Sequence, residues 1–575
     1  MDDRRGMTSW GATLGDGTTI FRIWAPDRDA VTLEIEGGDP VAMASEAEGW
    51  FAAEAPVGAG ARYRFRLDNA LAVPDPASRA QAGGVHGWSV VTDPEAYRWR
   101  TGTWRGRPWD EMVIQEVHVG ALGGFAGVAE QLPALAEIGI TAIELMPVNA
   151  FGGTRNWGYD GVLPYAVAES YGTPDDLKAL VDRAHELGIA VLLDVVYNHF
   201  GPDGNYLGAY AKGFFDADVA TPWGGAVAVD AAPVARFFVE NALMWLQDYR
   251  FDGLRFDAVH AIDNDAFLDA MAAEIRETVS DRPVHLILEN ERNDADRLAS
   301  GLYDAQWNDD FHNVLHVLLT GETSAYYADF ADRPAERLAR CLAEGFIYQG
   351  QGSPNHDGKP RGKPSAHLSP TAFVSFLQNH DQIGNRAMGE RLTLLADPRK
   401  LRAATALLLL GPQIPLQFMG DETGSETPFL FFTDFHDDLA NAVREGRRRE
   451  FAKFAAFADP AARETIPDPN ARETFARSRP EPGPDSARWQ DLYRTLLKLR
   501  HDVIVPRLRG ARAIGAEAIG TGAVVARWRM ADAAVLTIAL NLGDGVVAFP
   551  SDLPEPVHAE GAMGEPGSVA VWLVS

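Results

Sequence analysis

A single cysteine, Cys341, occurs among 575 residues, so no internal disulfide can form and a secreted disulfide framework is excluded. Long apolar runs are also missing. The most apolar stretch, 403–410, ends at Gly411 and Pro412, far short of a membrane span. The opening MDDRRGMTSW carries charge with no apolar segment behind it, so no secretory signal is expected and the chain reads as cytoplasmic. Positive charge is scarce: 52 Lys and Arg stand against 81 Asp and Glu, a formal net charge of −29. Such a surface repels phosphate backbones and anionic lipid. It argues against nucleic-acid and membrane partners and suits a neutral substrate. The sequence has no G-x-S-x-G elbow, no H-E-x-x-H pair, no calcium loop and no glycine-rich nucleotide loop. Asp194 and Asn198 could hold a cation, but no metal and no cofactor is called for.

What is present is an ordinary globular balance, 46% hydrophobic and 23% charged, which rules out disorder and coiled coil. Residues 1–97 contain short alternating or aromatic runs, TTIFRIWAP, AVTLEIEG, GWFAAEA and RYRFRL, separated by Gly, Pro and Asp turns; they predict a β-sandwich. Residues 505–575 behave likewise, with RAIGAEAI, AVVARWRM, AAVLTIALNL and SVAVWLVS predicting a second sandwich. Between them, 98–504 alternates apolar strands with amphipathic helices. The expected strands are 112–119, 141–146, 190–195, 253–256, 284–288, 304–307, 372–378 and 414–418. Helices are expected over 127–138 and from Thr173, a capped start, to Leu187. Eight strands without a nucleotide loop favour a closed (β/α)8 barrel over an open sheet, giving an α/β chain with a sandwich at each end. The Pro-rich segment 478–486 predicts an exposed excursion ahead of a helix.

A barrel builds its active site at the C-terminal ends of its strands. There the sequence places Asp194, Asn198 and His199 (LLDVVYNH), then Arg255, Asp257 and His260 (GLRFDAVH). Glu289 follows in LILEN, and His380 with Asp381 in FLQNHDQIGN. Any one alone has a plain structural explanation: a strand-end Asp as a turn or cap, Arg255 with Asp257 as an ion pair, the histidines as core residues. Four such stretches in order are not what independent structural residues produce. Cys341 lies in an Ala/Glu-rich helical stretch rather than at a strand end, which argues against thiol chemistry. Two carboxyl groups flanking a bond can hydrolyse a glycoside, provided one is ionised and the other protonated. Arg255, two residues before Asp257 and on the same strand face, would keep Asp257 ionised; the apolar LILE run suits a buried, protonated Glu289. His199 and His380 would bond sugar hydroxyls.

These segments, DVVYNH, GLRFDAVH, LILEN and FLQNHD, resemble the four hallmark segments of the alpha-amylase superfamily in order and spacing, and the likeness covers nearly the whole chain. The resemblance implies a (β/α)8 barrel acting on α-glucosides with retention. Asp257 would then be nucleophile, Glu289 general acid/base and Asp381 transition-state stabiliser; Tyr159, Asp194, His199, Arg255 and His380 would line the sugar site. Longer stretches resemble the maltooligosyltrehalose trehalohydrolase family: IELMPVNAFGGTRNWGYDG, VVYNHFGPDGNYL, WNDDFHN, FMGDE, PFLFFTDF and EGRRREF. That family cleaves the α-1,4 bond beside the terminal trehalose of maltooligosyltrehalose. By this resemblance the loop Asn308, Asp309, Asp310, Phe311 and His312 contacts substrate, as do His260, Gln382 and Asn385. An upstream maltooligosyltrehalose synthase is the implied partner. A glucan-branching transferase and an α-1,6 debranching hydrolase share the carboxylates, and a non-catalytic glucan-binding scaffold is the remote alternative. Two departures stand out: EVHVGALGGFAGV is shorter than the family's usual turn after the first strand, and 478–486 is richer in proline.

Overall fold

Short strands rich in Val, Ile and Leu, flanked by turn residues, are suited to a parallel sheet buried on both faces. In the computed structural model, which describes residues 9–221, 224–452, 455–457 and 459–575, eight of them form the centre. They are β1 (Ile114–Val117), β2 (Ala142–Leu145), β3 (Ala190–Val195), β4 (Gly253–Phe256), β5 (His285–Leu288), β6 (Ala305–Trp307), β7 (Phe373–Ser375) and β8 (Ile414–Phe418). They pair in parallel in that order, and β8 closes on β1. Each falls within the span expected for it, most of them trimmed at the ends. Alternate side chains fill the lower interior, among them Ile114, Ala142, Leu192, Ile287, Val374 and Leu416, all fully buried. The charged opening 1–8 lies outside the described residues.

Parallel neighbours need crossovers, and the helices supply them. α1 (Gly124–Ile138) buries Phe125, Val128, Leu132, Leu135 and Ile138, the spacing of one helix face, and starts three residues before the expected 127. α2 (Pro174–Glu186) opens on the expected cap: Thr173 Oγ1 accepts from the Asp176 amide at 3.2 Å, and the Asp176 carboxylate accepts from the Thr173 amide at 2.9 Å. Between β2 and α2 an antiparallel hairpin, Asn149–Phe151 with Gly161–Val167, rises at the strand ends. Its tip brings Trp157 and Tyr159 to the mouth of the barrel. Gly158 within the tip has φ 105°, and a Cβ there would lie 2.2 Å from the Pro147 carbonyl, so only glycine fits.

The N-terminal runs form two antiparallel sheets, one built on Thr19–Trp24 and Trp50–Ala55, the other on Val31–Ile35 and Arg62–Leu67. In RYRFRL the alternation is visible: Tyr63, Phe65 and Leu67 point inward and the three arginines outward. Asp182 of α2 ties the following linker to the barrel. Its carboxylate accepts from the Arg100 amide at 2.9 Å and the Thr101 amide at 3.0 Å. At the other end one five-stranded antiparallel sheet, Arg512–Gly520 through Ser568–Val574, takes its second layer from the helices Pro334–Glu344 and Pro398–Leu410. The C-terminal sandwich is thus sheet on helix. The 478–486 excursion is mostly exposed, pinned where the Leu430 amide donates to Ser478 Oγ at 3.0 Å. No helix among the described residues is long and apolar enough to cross a membrane.

Candidate active site

Arg255 organises the mouth of the barrel. It is fully buried on β4, and its guanidinium lies 3.9 Å from the Trp307 ring of β6. Nη1 donates to Asp194 Oδ2 of β3 at 2.7 Å and to Asp257 Oδ1 at 2.9 Å, while Nη2 donates to Glu289 Oε2 at 2.8 Å. One planar fork therefore holds three carboxyl groups from three strands. Asp257 is steadied from a second side by Asn198 Nδ2, which donates to Oδ2 at 2.7 Å. Asp194 also accepts from Tyr159 Oη at 2.6 Å. After Asp257 the chain turns sharply: Ala258 takes φ 40° and ψ 50°, an uncommon conformation for alanine, and its amide donates to Glu289 Oε2 at 2.8 Å. Strain in this turn aims an N–H at the site.

The helix after β7, His380–Gly384, carries Asp381 in its first turn. Asn379 caps it by accepting from the Asp381 amide at 2.9 Å, and Gln382 closes the box by accepting from the Asn379 amide at 3.0 Å. Gln382 is thus a cap. His380 is almost fully buried; its amide donates to Glu116 Oε2 at 2.9 Å, its Nδ1 donates to Glu116 Oε1, and its Nε2 lies 3.4 Å from Asp381 Oδ1. The Tyr159 ring stacks on His380 with centroids 5.1 Å apart, and the edge of Trp157 meets it at 5.5 Å. His199 donates from Nε2 to the Tyr159 carbonyl at 2.9 Å, which fixes the hairpin tip. Asn385 is exposed and donates to Asp381 Oδ1 at 3.2 Å. His260 lies at the rim, its Nε2 3.6 Å from the Glu291 carboxylate.

Burial and neighbouring charge shift several of these groups. Burial, and then the neighbouring negative charge of Asp257, raises Glu289 above the usual carboxylate range against the pull of Arg255. Burial likewise raises Asp381, with Glu289 adding to it and His380 opposing. Asp194 is pushed up to about 7, chiefly by burial, despite Arg255. Burial would lower His380, but Glu116 and Asp381 overcome it and hold the ring at about 9. Both bonds to Glu289 end on Oε2, which leaves Oε1 to carry the proton of the acid form. Two carboxyl groups gripped by one guanidinium, one of them raised towards its acid form, have the make-up of a glycoside-cleaving pair.

The 308–312 loop divides. Asp309 is half-buried and faces the carboxylates, and loss of water, then the charge of Glu289, pushes it up to about 8. Its neighbours turn into the protein. Asn308 donates to the Gly345 carbonyl at 3.0 Å, and Asp310 accepts from the Ile347 amide at 2.8 Å and from Asn293 at 3.0 Å. Phe311 lies in the core, and His312 donates to the Leu377 carbonyl at 2.6 Å. The alternation follows from a helix, Asp309–Thr320, beginning here, so adjacent side chains point in different directions. Of the five, Asp309 is the side chain that faces the carboxylates, while Asn308, Asp310, Phe311 and His312 hold the loop. Glu116 and Trp307 were not foreseen. Glu116 had a signal: a carboxylate inside the apolar strand IQEV is rarely buried without a partner.

Comparison with known proteins fits this geometry. A family model described as alpha amylase, catalytic domain, matches residues 85–214, and a domain of unknown function, DUF3459, matches 511–572. A malto-oligosyltrehalose trehalohydrolase of Deinococcus radiodurans is 43% identical over 515 residues, covering 86% of this chain and 83% of that protein. The chain belongs to the malto-oligosyltrehalose trehalohydrolase family. A Rhizobium sp. member is 42% identical, over 84% of this chain and 85% of its own. The solved structure of a Salmonella typhimurium protein described as an alpha amylase superposes with a TM-score of 0.93 at 44% identity, covering 99% of this chain and 100% of that one.

The stretches that carry the trehalohydrolase likeness prove to be mutual braces around the site. Trp157 of NWGYDG donates to the Leu430 carbonyl of PFLFFTDF at 2.9 Å. Asp434 of the same stretch accepts from the Thr154 amide at 2.7 Å and Thr154 Oγ1 at 2.8 Å. Arg447 of EGRRREF donates to the Gly384 carbonyl at 2.6 Å and the Arg386 carbonyl at 3.0 Å, propping the turn that carries Asp381. In FMGDE, Asp421 accepts from Gln378 of the β7 end at 2.7 Å.

Proposed function

We propose that this chain hydrolyses the α-1,4 bond beside the terminal trehalose of maltooligosyltrehalose by double displacement, releasing trehalose. Asp257 attacks the anomeric carbon of the last α-1,4-linked glucose while Glu289 protonates the departing trehalose oxygen. Glu289 then takes a proton from water, which opens the glucosyl-enzyme with net retention. Asp381 strengthens its hydrogen bonds to ring hydroxyls as the oxocarbenium-like transition state forms. The observation that carries the reading is the shared grip of Arg255 on Asp257 and Glu289, 2.9 and 2.8 Å from its two terminal nitrogens. Two carboxyls on one guanidinium favour the retaining spacing of about 5–5.5 Å over the wider inverting one of about 6.5–9.5 Å.

Trehalose itself would be received by Asp309, Asn385 and the rim at His260, which stand beside the carboxylates. A synthase that converts the reducing end of a maltooligosaccharide into the 1,1-linkage must supply the substrate, and a cytoplasmic location goes with that partner. Chromatography of products from maltotriosyltrehalose and from maltopentaose tests the reading. Rapid release of trehalose from the first, with slow cutting of the second, is expected. Equal cutting of both, or branched products, would replace it with a general amylase or a branching transferase.

A further inference from the structure

Below the mouth the barrel interior is mainly apolar, but two carboxyl side chains of the described residues enter it: Glu116, which is engaged by His380, and Glu144. Glu144 lies in the strand AIEL of β2, is fully buried, and neither of its carboxyl oxygens has a hydrogen-bond partner. A buried polar group left unsatisfied costs about 1–3 kcal/mol, so a purely structural site would favour leucine here. Its position is not random. Register sets Glu144 beside Glu116 on β1 and Leu192 on β3, one inward step below Asp194. The charged groups facing it are Asp194, Arg255, Glu116 and His380.

Among the inward-pointing side chains of the described barrel strands, three further buried atoms share its condition. Asp194 Oδ1, Arg255 Nε and Trp307 Nε1 also have no partner. All belong to residues on inward-facing positions of β3, β4 and β6. Unpaired donors and acceptors converging in a closed interior are what enclosed water satisfies, each water commonly making about three hydrogen bonds. Burial foremost, and then the charge of Asp194, raises the Glu144 carboxyl well above the usual carboxylate range and so favours the acid form, which can donate and accept at once.

We propose that Glu144 is a positioning residue: through enclosed water it holds Asp194 and Arg255 in register, and with them the guanidinium that grips Asp257 and Glu289. The inference rests on the trehalose-releasing reading for its substrate alone. The Glu144→Leu and Glu144→Gln variants of the full chain test it, assayed on maltotriosyltrehalose for kcat, KM and the pH dependence of kcat/KM, alongside thermal melting. Glu144→Leu is expected to melt no lower than the parent, yet to lose about 10- to 100-fold in kcat with KM nearly unchanged and the pH profile displaced. Glu144→Gln, which keeps shape and hydrogen bonding, is expected to restore most of the rate. An infrared difference spectrum against the parent should show the protonated-carboxyl C=O band missing from both variants. Parental kcat and pH profile in Glu144→Leu would overturn the proposal. So would a rate loss matched by a fall in melting temperature, a glutamine variant as slow as leucine, or an unchanged infrared band. Failure of the parent to release trehalose would sink the functional reading instead, and the infrared band and melting comparison would still decide Glu144.

Discussion

The two ends of β4 carry an aspartate each, and they live differently. At the bottom, Asp252 is fully buried and satisfied: it accepts from Trp104 Nε1 at 2.7 Å, His185 Nε2 at 2.8 Å and the Val191 amide at 2.8 Å. Burial would raise its pKa, but those donors win and lower it. At the top, Asp257, Glu289 and Asp194 share one guanidinium, and burial keeps Glu289 and Asp194 raised. A saturated carboxylate holds the fold. An under-supplied one keeps a proton to give or a lone pair to use. In barrels the bottom serves stability and the top serves chemistry, and here a single strand shows both.

The largest effect that would break this comparison is at the top. Glu289→Gln should lower kcat about 10²–10⁴-fold, with Asp257→Asn at least as severe, and neither should lower the melting temperature. Steady-state kinetics with thermal melting reads both; a lowered melting point would mean that these carboxyls stabilise the fold as Asp252 does. The mirror experiment is Asp252→Ala, which strands His185, Trp104 and the Val191 amide. It should cost about 3–5 kcal/mol of stability in urea unfolding while the folded enzyme keeps its kcat. A loss of kcat at full stability would erase the distinction.

Stability against pH sharpens the contrast. His380 sits at about 9 against an ordinary 6.5, so the folded state binds its proton more tightly than the unfolded chain does. That contribution, about 3 kcal/mol, is fully present below about pH 6.5 and lost as pH rises towards about 9. The raised carboxyl of Asp194 acts in the same direction, between about pH 4 and 7. Asp252, being lowered, contributes above its unfolded pKa and fades only as pH falls through the folded one. Unfolding across pH should therefore lose an alkaline decline in His380→Gln and an acid decline in Asp252→Asn; unaltered profiles would refute the assignment. The smallest expected effects come from the adjacent pair in the 309–310 turn. Asp309→Asn should change kcat/KM by about tenfold with little change in melting, whereas Asp310→Asn should lower stability by about 1–3 kcal/mol and spare kinetics.

Much of this was legible in residue order. Strand positions followed from apolar runs of four to seven residues, and the start of α2 from Thr173, Pro174 and Asp176. Asp257 and Glu289 could be singled out because each directly follows an apolar strand, and Asp381 because it lies in the polar turn beyond one. The short run WNDDFHN could not be resolved in the same way. Which of the five side chains from Asn308 to His312 faces the mouth depends on where the helix Asp309–Thr320 begins and on what Gly345, Ile347 and Leu377 offer from across the chain.

Sequence by itself determined the strand count, the order of the segments and the identity of the charged residues, because hydrophobic periodicity and strand-end chemistry are local properties. Tertiary structure alone decided that Arg255 grips carboxyls from three strands and that Glu116 holds His380. It also decided that Asp309 faces the site while Asp310 turns away, and that Glu144 lies beneath the Asp194–Arg255 pair. These relations come from barrel closure, which sets β4 beside β3 and β5 and brings β8 back to β1. A pKa depends on burial and on charges a few ångströms away, and those distances exist only once distant segments have met.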